Sequence, residues 1–212
     1  SFRVLRVGYD TAQPYGQDNP YSPVASVNPL FLRKSLTARE GSGYAQSSRR
    51  LGKRWNLTWG GRVDAFPATG TTRFSPRAGG SYRVTERLRY RASYGVYYQQ
   101  PLLLLLEAFP ENRRLTPIRA THVVTGLAYT FGPTLRATVE AYEKRYGSYP
   151  VSTQFPSFSL ANAGDTFAVT DLLLPYASAG RGRARGIEFL VEKKFSANWY
   201  GQTNVAISKT RF

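Results

Sequence analysis

The feature that most constrains this chain is a strict two-residue alternation of apolar and polar side chains that persists over unusually long segments. A period-two pattern predicts a β-strand with one apolar face. In residues 54–66 the apolar parity holds Trp55, Leu57, Trp59, Gly61, Val63 and Ala65, and the other parity holds Arg54, Asn56, Thr58, Gly60, Arg62 and Asp64. The alternation returns in residues 88–98, 121–131, 135–142, 187–195 and 203–208. We therefore predict an all-β chain with about ten strands.

The connections between the predicted strands are either very short or long. Residues 52–53, 85–87, 132–133 and 196–198 are rich in turn-forming residues and predict tight turns. The connections at residues 67–76, 99–119 and 147–182 are much longer. Short turns at one edge of the sheet, which we call the turn rim, and long loops at the other, the loop rim, are typical of an antiparallel transmembrane β-barrel.

A soluble β-sandwich is the main structural alternative, because its strands alternate in the same way. Sandwich strands usually contain only about 5 to 6 residues, however. Aromatic residues also lie near the predicted turns and loop junctions, where a membrane barrel carries its two aromatic girdles. They are Trp55, Trp59, Tyr82, Tyr90, Tyr98, Tyr129, Phe131, Phe195 and Trp199. A polar lumen explains why the apolar residues are scattered along a chain with a mean hydropathy of −0.39.

Ordered strings of residues carry a family resemblance. They are FSPRAGGSYRV at 74–84, LRYRASYG at 88–95, residues 117–127, ATVEAYEK at 137–144, Asn162-Ala163-Gly164 with RARGIEF at 183–189, and residues 198–209. In this order they resemble the barrel strands of TonB-dependent outer-membrane receptors, over residues 43–212. The chain departs from the family pattern at His122 and Val123, where the family prefers aromatic and acidic residues.

The resemblance implies that residues 1–212 are the β-barrel portion of a receptor in the bacterial outer membrane, in contact with the lipid bilayer. Barrels of this kind have about 22 strands around a plug, so we expect part of a larger barrel, with the plug domain not present in this sequence. The resemblance also implies uptake of a scarce nutrient, coupled to a TonB-type energy-coupling protein. Two alternatives stay open: a structural barrel that anchors the subunits of a surface complex, and a passive pore.

The chain carries a large excess of positive charge, and the positions of the basic residues indicate what they could contact. Lys and Arg number 29 against 13 Asp and Glu, and 23 of the 29 are Arg, which favours bidentate binding of phosphate or carboxylate. Predicted lumen positions hold Arg54, Arg62, Arg77, Arg83, Arg89, Arg91 and Arg136, which line an anion path, contact an acidic plug or are simply solvated. Arg113, Arg114, Arg119, Arg181 and Arg183 lie in or beside long loops, where lipopolysaccharide or substrate is accessible. Because the charges are divided among strand faces, we expect no nucleic-acid partner.

The sequence predicts neither an enzyme nor a cofactor or metal site. It contains no Cys and no Met, its one histidine, His122, lies on a predicted strand, and no Ser, His and Asp set is recognisable. The string GRGRARG at 180–186 lacks the Lys-Ser/Thr of a phosphate-binding loop and leads into a strand. We interpret it as a basic strand entry.

Candidate substrate-binding residues come from both the lumen and the loops. In the lumen they are Arg89, Arg91 and Tyr97, and in the loops they are Arg113, Arg114, Tyr149 and Phe155. Long loops on a rigid scaffold usually carry function. The five consecutive leucines at 102–106 are expected to pack under other loops rather than to meet a partner, because exposed apolar patches are unfavourable.

Overall fold

The chain folds into one antiparallel sheet. The structure is a computed structural model, and it describes residues 2–12, 31–157, 159–162 and 174–212. The strands are β1 (Phe2–Ala12), β2 (Phe31–Leu51), β3 (Trp55–Phe66), β4 (Thr71–Arg83), β5 (Leu88–Gln99), β6 (Ile118–Thr130), β7 (Leu135–Ser152), β8 (Tyr176–Ser196) and β9 (Trp199–Arg211). Each strand pairs with its neighbours in sequence, so the order runs from β1 to β9. The all-β antiparallel prediction is confirmed, with nine strands in the described residues.

Among the described residues, helical structure lies only at the loop rim. A short helix, α1, covers Leu103–Ala108, and 3₁₀ helices cover Pro67–Thr69, Pro110–Arg114 and Leu160–Asn162. In the described part of the chain, none of these helices has the length and apolar character needed to cross a bilayer.

The strand register gathers the apolar residues on one face, which we call the outward face. Val139 pairs with Phe189, and Phe189 pairs with Val205, so three apolar side chains form one row across β7, β8 and β9. Phe189 and Val205 remain 46% and 52% exposed. On β8, exposed outward positions alternate with more enclosed inner positions from Ala177 to Val191. An apolar face of this extent is stable against lipid rather than water, so the predicted orientation of the strands fits the structure.

The four tight turns at the turn rim are present as predicted, with ends that differ by at most one residue. They cover residues 52–54, 84–87, 131–134 and 197–198. Gly52, Ala197 and Asn198 have positive φ angles of 59°, 50° and 64°, which is the backbone conformation that reverses a chain within two or three residues.

Two predicted loops are shorter than expected. The connection at 67–76 ends at Gly70, because β4 begins at Thr71 and continues through Pro76. Proline donates no ladder hydrogen bond, and the pairing of β4 with β5 begins only at the next residue, Arg77. The loop at 147–182 shrinks to 153–175, since β7 extends to Ser152 and β8 begins at Tyr176.

An irregularity in β7 explains why the loop predicted at 147–182 begins later than expected. The register of β7 against β8 shifts between Tyr146 and Tyr149, and Ser148 has a φ of 58°. A bulge of this kind breaks the period-two pattern without ending the strand, so the last six residues of β7, 147–152, are predicted as loop. Of the predicted Asn162-Ala163-Gly164 string, Ala163 and Gly164 lie outside the described residues.

The largest buried cluster in the described residues lies at the loop rim. Leu104, Leu105 and Leu106 of α1 are 2–4% exposed and pack with Leu115 and Tyr176. Burial raises the pKa of the Tyr176 hydroxyl, which therefore stays protonated. Leu104, Leu105 and Leu106 pack under their neighbours as expected, whereas Leu102 is 50% exposed. We call the buried group the leucine cluster.

Candidate functional site

Two concavities on the inner face of the described sheet contain the predicted lumen residues Arg89, Arg91 and Tyr97. The one nearer the loop rim, here the loop-side cavity, has a volume of about 410 Å³. Its lining is Glu40, Arg62, Asp64, Phe66, Ser75, Arg77, Tyr97, Tyr98, Gln99 and Gln100. It is a mixed polar and aromatic surface that offers charged groups of both signs.

A stack of three side chains from neighbouring strands lies at the edge of the loop-side cavity. The Arg77 guanidinium lies 4.7 Å from the centroid of the Tyr97 ring, and that ring lies 4.7 Å from the ring of His122. Gly95 makes the stack possible, because a Cβ at this position would come within 2.7 Å of the Tyr97 hydroxyl oxygen. The stack presents a cation and an aromatic edge side by side, an arrangement that suits an anionic ligand with a flat part.

Several polar groups near this cavity lack a protein partner. Arg62 is satisfied, since its Nε donates to Asp64 Oδ1 at 2.7 Å. In the described part of the chain, however, Nε of Arg73 and both amide atoms of Gln100 are buried without a hydrogen-bond partner. Buried polar atoms are almost always paired, so these atoms are positioned to bind a ligand, water or another part of the protein.

The second concavity, the turn-side cavity, lies further along the same inner face. It has a volume of about 480 Å³, and Arg89, Arg91 and Glu140 contribute its charged groups. The floor is made of small residues, among them Gly79 and Gly126, whose lack of a side chain leaves the space open.

Next to the turn-side cavity, arginines from several strands converge. Their recess of about 120 Å³ is lined by Arg83, Arg87, Arg89, Arg91 and Arg136, with Glu86 as its acidic residue. We call these five residues the turn-side arginine cluster. Arginines packed at this density create a strong positive field, which attracts an anion or an acidic protein surface.

The predicted substrate-binding residues fall into separate groups. Arg89 and Arg91 line the turn-side cavity, and Tyr97 lines the loop-side cavity. Arg91 and Tyr97 are six residues apart on β5, which at about 3.3 Å per residue separates them by roughly 20 Å. The structure therefore does not bring Arg91 and Tyr97 into one pocket; both line the inner face along a common path.

The predicted loop residues lie near the loop rim. Arg113 and Arg114 are exposed on the 3₁₀ helix after α1, and Arg113 Nη2 donates to Glu107 Oε2 at 3.2 Å. Phe155 follows β7, and its backbone N–H donates to Ser152 Oγ at 3.1 Å. Tyr149 was expected in a loop, but it lies in β7 at the bulge, because the strand continues beyond the point where its alternation is readable.

Tyr149 belongs to an aromatic group that the strand alternation alone does not predict. Its ring lies 5.9 Å from Tyr146 and 5.4 Å from Phe212, and Tyr146 and Phe212 are 5.6 Å apart. The Phe212 ring lies over Gly182, where an added Cβ would come within 2.1 Å of it. Tyr146 pairs with Gly182 on the inner face. Its position in the alternation of β7 is the one sequence feature that predicts an inward-facing aromatic ring here.

One predicted lumen residue is misplaced. Arg54 lies in the turn between β2 and β3, and its Nη1 approaches the hydroxyl of Tyr82 at 3.5 Å. Tyr82 pairs with Trp55 on the outward face. Because β3 begins at Trp55, Arg54 belongs to the turn and not to the alternating strand. Its side chain therefore lies away from the inner face.

Comparison with known proteins gives a consistent result. A family model described as "TonB dependent receptor-like, beta-barrel" matches residues 2–211. No curated protein matches the chain.

Three solved structures illustrate the likeness of fold. The ferripyoverdine receptor of the outer membrane of Pseudomonas aeruginosa, bound to ferripyoverdine, has a TM-score of 0.65 at 16% identity, covering 87% of this chain and 24% of the receptor. A mutant of the ferric enterobactin receptor of the same organism has a TM-score of 0.65 at 17% identity, covering 98% and 32%. The FrpB iron transporter from Neisseria meningitidis has a TM-score of 0.60 at 17% identity, covering 84% and 26%.

This chain therefore spans between 24% and 32% of the length of these three structures. At such low identity the likeness shows the fold alone, and the nine strands correspond to part of a larger barrel. The family model, in contrast, matches almost the entire chain. The chain belongs to the TonB-dependent receptor-like β-barrel family, whose members are proteins of the bacterial outer membrane.

Proposed function

We propose that this chain forms part of the barrel of an outer-membrane receptor that takes up a scarce nutrient, an anionic iron complex, past a plug and with energy from a TonB-type partner. The observation that carries the proposal is the inner face, where arginines line two cavities and aromatic rings line the loop-side one, while the outward face is largely apolar. A surface built only to anchor a complex needs no such lining.

The chemistry of the inner face supports an anionic ligand. Arginine offers a planar fork of donors that matches carboxylate and other paired oxygens. Carboxylate and other oxygen donors are among the ligands that hard metal cations prefer, and a complex built from them offers anionic oxygens to arginine. Three of the similar structures are described as receptors or transporters of iron or of iron complexes. We extend that ligand class to this chain.

The position of the arginines supports passage along the barrel interior. Arg77 lies beside the loop-side cavity, and Arg91 and Arg89 lie about 13 and 20 Å nearer the turn rim. A ligand that moves along the inner face thus meets a second set of cations after the first. The turn-side arginine cluster also provides a positive surface for an acidic plug.

A double substitution tests the turn-side site. The Arg89→Ala/Arg91→Ala variant should lower iron uptake at least tenfold, because each charge-assisted hydrogen bond contributes about 1.5–3 kcal/mol. The barrel should stay folded, since neither side chain faces lipid. The measurement is uptake of radioactive iron from a panel of ferric chelates by cells whose only receptor is the intact protein or its variant.

The matched control removes two cations from the turn rim, outside both cavities. The Arg49→Ala/Lys53→Ala variant should take up iron at the normal rate. Normal uptake by the Arg89→Ala/Arg91→Ala variant would contradict the assignment, and loss of a surface assembly with intact uptake would favour the structural role instead.

A single glycine substitution tests the loop-side site. In Gly95→Ala the new methyl group overlaps the Tyr97 ring, with distances of 2.7–2.9 Å to its atoms, so the ring must leave its place between Arg77 and His122. We expect ferric chelates to bind three- to tenfold more weakly, as they should in Tyr97→Ala. Binding is measured by quenching of intrinsic fluorescence in detergent.

Gly41→Ala is the control for the Gly95 variant, because nothing lies within 4 Å of a Cβ at position 41. It should bind the same chelates normally. Equal affinities for the Gly95→Ala and Gly41→Ala variants would show that the ring stack does not contact the ligand.

A further inference from the structure

The turn-side cavity carries charges of opposite sign on two walls. Arg89 and Arg91 of β5 belong to one wall, and Glu140 of β7 belongs to the other. Of the ion pairs found in the described part of the chain, none joins Glu140 to either arginine. Both β5 and β7 have a described neighbour on each side, so these groups do not lie at an edge of the sheet. The cavity therefore offers two cations and one carboxylate that are not paired with one another.

A glycine separates the two walls. Gly126 of β6 pairs with Arg91 on one side and with Glu140 on the other, so the three residues form one row across the inner face. Neighbouring strands are about 4.8 Å apart, which separates the Cα atoms of Arg91 and Glu140 by roughly 10 Å. A Cβ added to Gly126 would come within 2.7 Å of Glu140 Cγ. The side chain of Glu140 therefore extends from β7 toward β6, on the side of the arginines.

A second carboxylate adds to the negative wall. Glu188 of β8 pairs directly with Glu140 on the inner face, and both residues are half-buried. Like charges at directly opposite positions of a ladder are unfavourable. A bound cation relieves this repulsion, so the glutamate wall favours a positively charged group, whereas the arginine wall favours a carboxylate.

We propose that the turn-side cavity binds the zwitterionic end group of an α-amino acid, with its carboxylate on Arg89 and Arg91 and its ammonium on Glu140. The inference rests on the proposed function, because it assigns this end group to the anionic ligand that passes along the inner face. Two cations against one carboxylate in the lining suit an end group with more carboxylate than ammonium, such as an α-amino dicarboxylate. A ligand with carboxylates alone would meet Glu140 as a like charge, which is why a zwitterion is the better occupant.

Binding of free glutamate tests this site without iron. The intact receptor, purified from outer membranes in detergent, is compared with Glu140→Gln by saturation-transfer NMR titration. The probes are glutamate and N-acetylglutamate, which keeps both carboxylates but lacks the ammonium. We expect the intact receptor to bind glutamate at least tenfold more tightly than N-acetylglutamate, because hydrogen bonds between charged groups are the strong ones. The Glu140→Gln variant should lose this preference and should bind N-acetylglutamate no more weakly than the intact receptor does.

The matched control is Glu111→Gln, which removes the same charge at an exposed position of the loop rim and should bind glutamate normally. The heat-sensitive mobility of each variant on a gel checks that its barrel is folded. Equal affinities of the intact receptor for the two probes would overturn the proposal, as would unchanged glutamate binding by Glu140→Gln or the lack of saturable glutamate binding.

The outcome is distinguishable from failure of the proposed function. Iron uptake by a receptor that does not prefer glutamate would overturn this inference alone. A preference for glutamate without uptake of any ferric chelate would support the zwitterion site and would contradict the iron complex proposed above.

Discussion

The Phe189→Arg variant should fail to assemble as a stable barrel in the membrane. Phe189 lies at the middle of the outward face, between Val139 and Val205 in the ladder. Arginine facing lipid at the bilayer midplane costs about 2–4 kcal/mol, and the variant also loses the apolar contact of the Phe189 ring with lipid. The measurement is the free energy of unfolding in lipid vesicles, together with the heat-sensitive mobility of the folded barrel on a gel.

Leu190→Arg is the matched control because it introduces the same charge one residue away. Leu190 pairs with Thr138 and Asn204 on the inner face, where water can solvate a guanidinium group. This variant should fold with a free energy of unfolding close to that of the unaltered protein. Equal destabilisation by the two variants would mean that the two faces of β8 meet the same environment.

The Asn112→Ala variant should release the leucine cluster while leaving the sheet folded. Asn112 is fully buried, and its Nδ2 donates to the backbone carbonyls of Leu105 and Leu174 at 2.7 and 2.9 Å. Its Oδ1 accepts from the backbone N–H of Tyr176 at 2.6 Å. The substitution leaves three buried polar groups without a hydrogen-bond partner, and each costs about 1–3 kcal/mol. We therefore expect the loop cluster to lose at least about 3 kcal/mol of local stability.

Limited proteolysis measures this effect directly, because Arg113 and Arg114 provide trypsin sites beside Asn112. Cleavage there requires local opening of the chain, and its rate should rise more than tenfold in the variant. Glu111→Ala, at an exposed position in the same 3₁₀ helix, should be cleaved at the original rate. An unchanged cleavage rate for Asn112→Ala would show that the three hydrogen bonds do not hold the loops together.

The strands and their orientation are predictable from the sequence because each needs only local information. Trp55, Trp59 and Val63 alternate with polar residues, and a strand that meets lipid on one side must carry that pattern. The same alternation predicts that Arg89, Arg91 and Tyr97 lie on the inner face, because the parity of a residue in a strand decides which face it occupies.

The features that the sequence did not predict depend on distant residues. Asn112 reaches Leu174 and Tyr176, more than 60 residues away, and nothing in its neighbourhood indicates that it is buried. The contact of Tyr149 with Phe212 needs both the bulge in β7 and the β8–β9 register. The pairing of Arg185 with Lys209 similarly needs the β8–β9 register, although the alternation in GRGRARG predicts that Arg185 lies on the outward face.

Alternate residues of β8 face lipid and a water-filled interior, and cysteine labelling of this strand tests that arrangement. The chain contains no cysteine, so single cysteines at positions 187 to 191 carry an unambiguous signal. In cells with a permeabilised outer membrane, we predict that a water-soluble maleimide labels positions 188 and 190, whereas a lipid-phase reagent labels 187, 189 and 191. Labelling of all five positions by the water-soluble reagent would contradict the account.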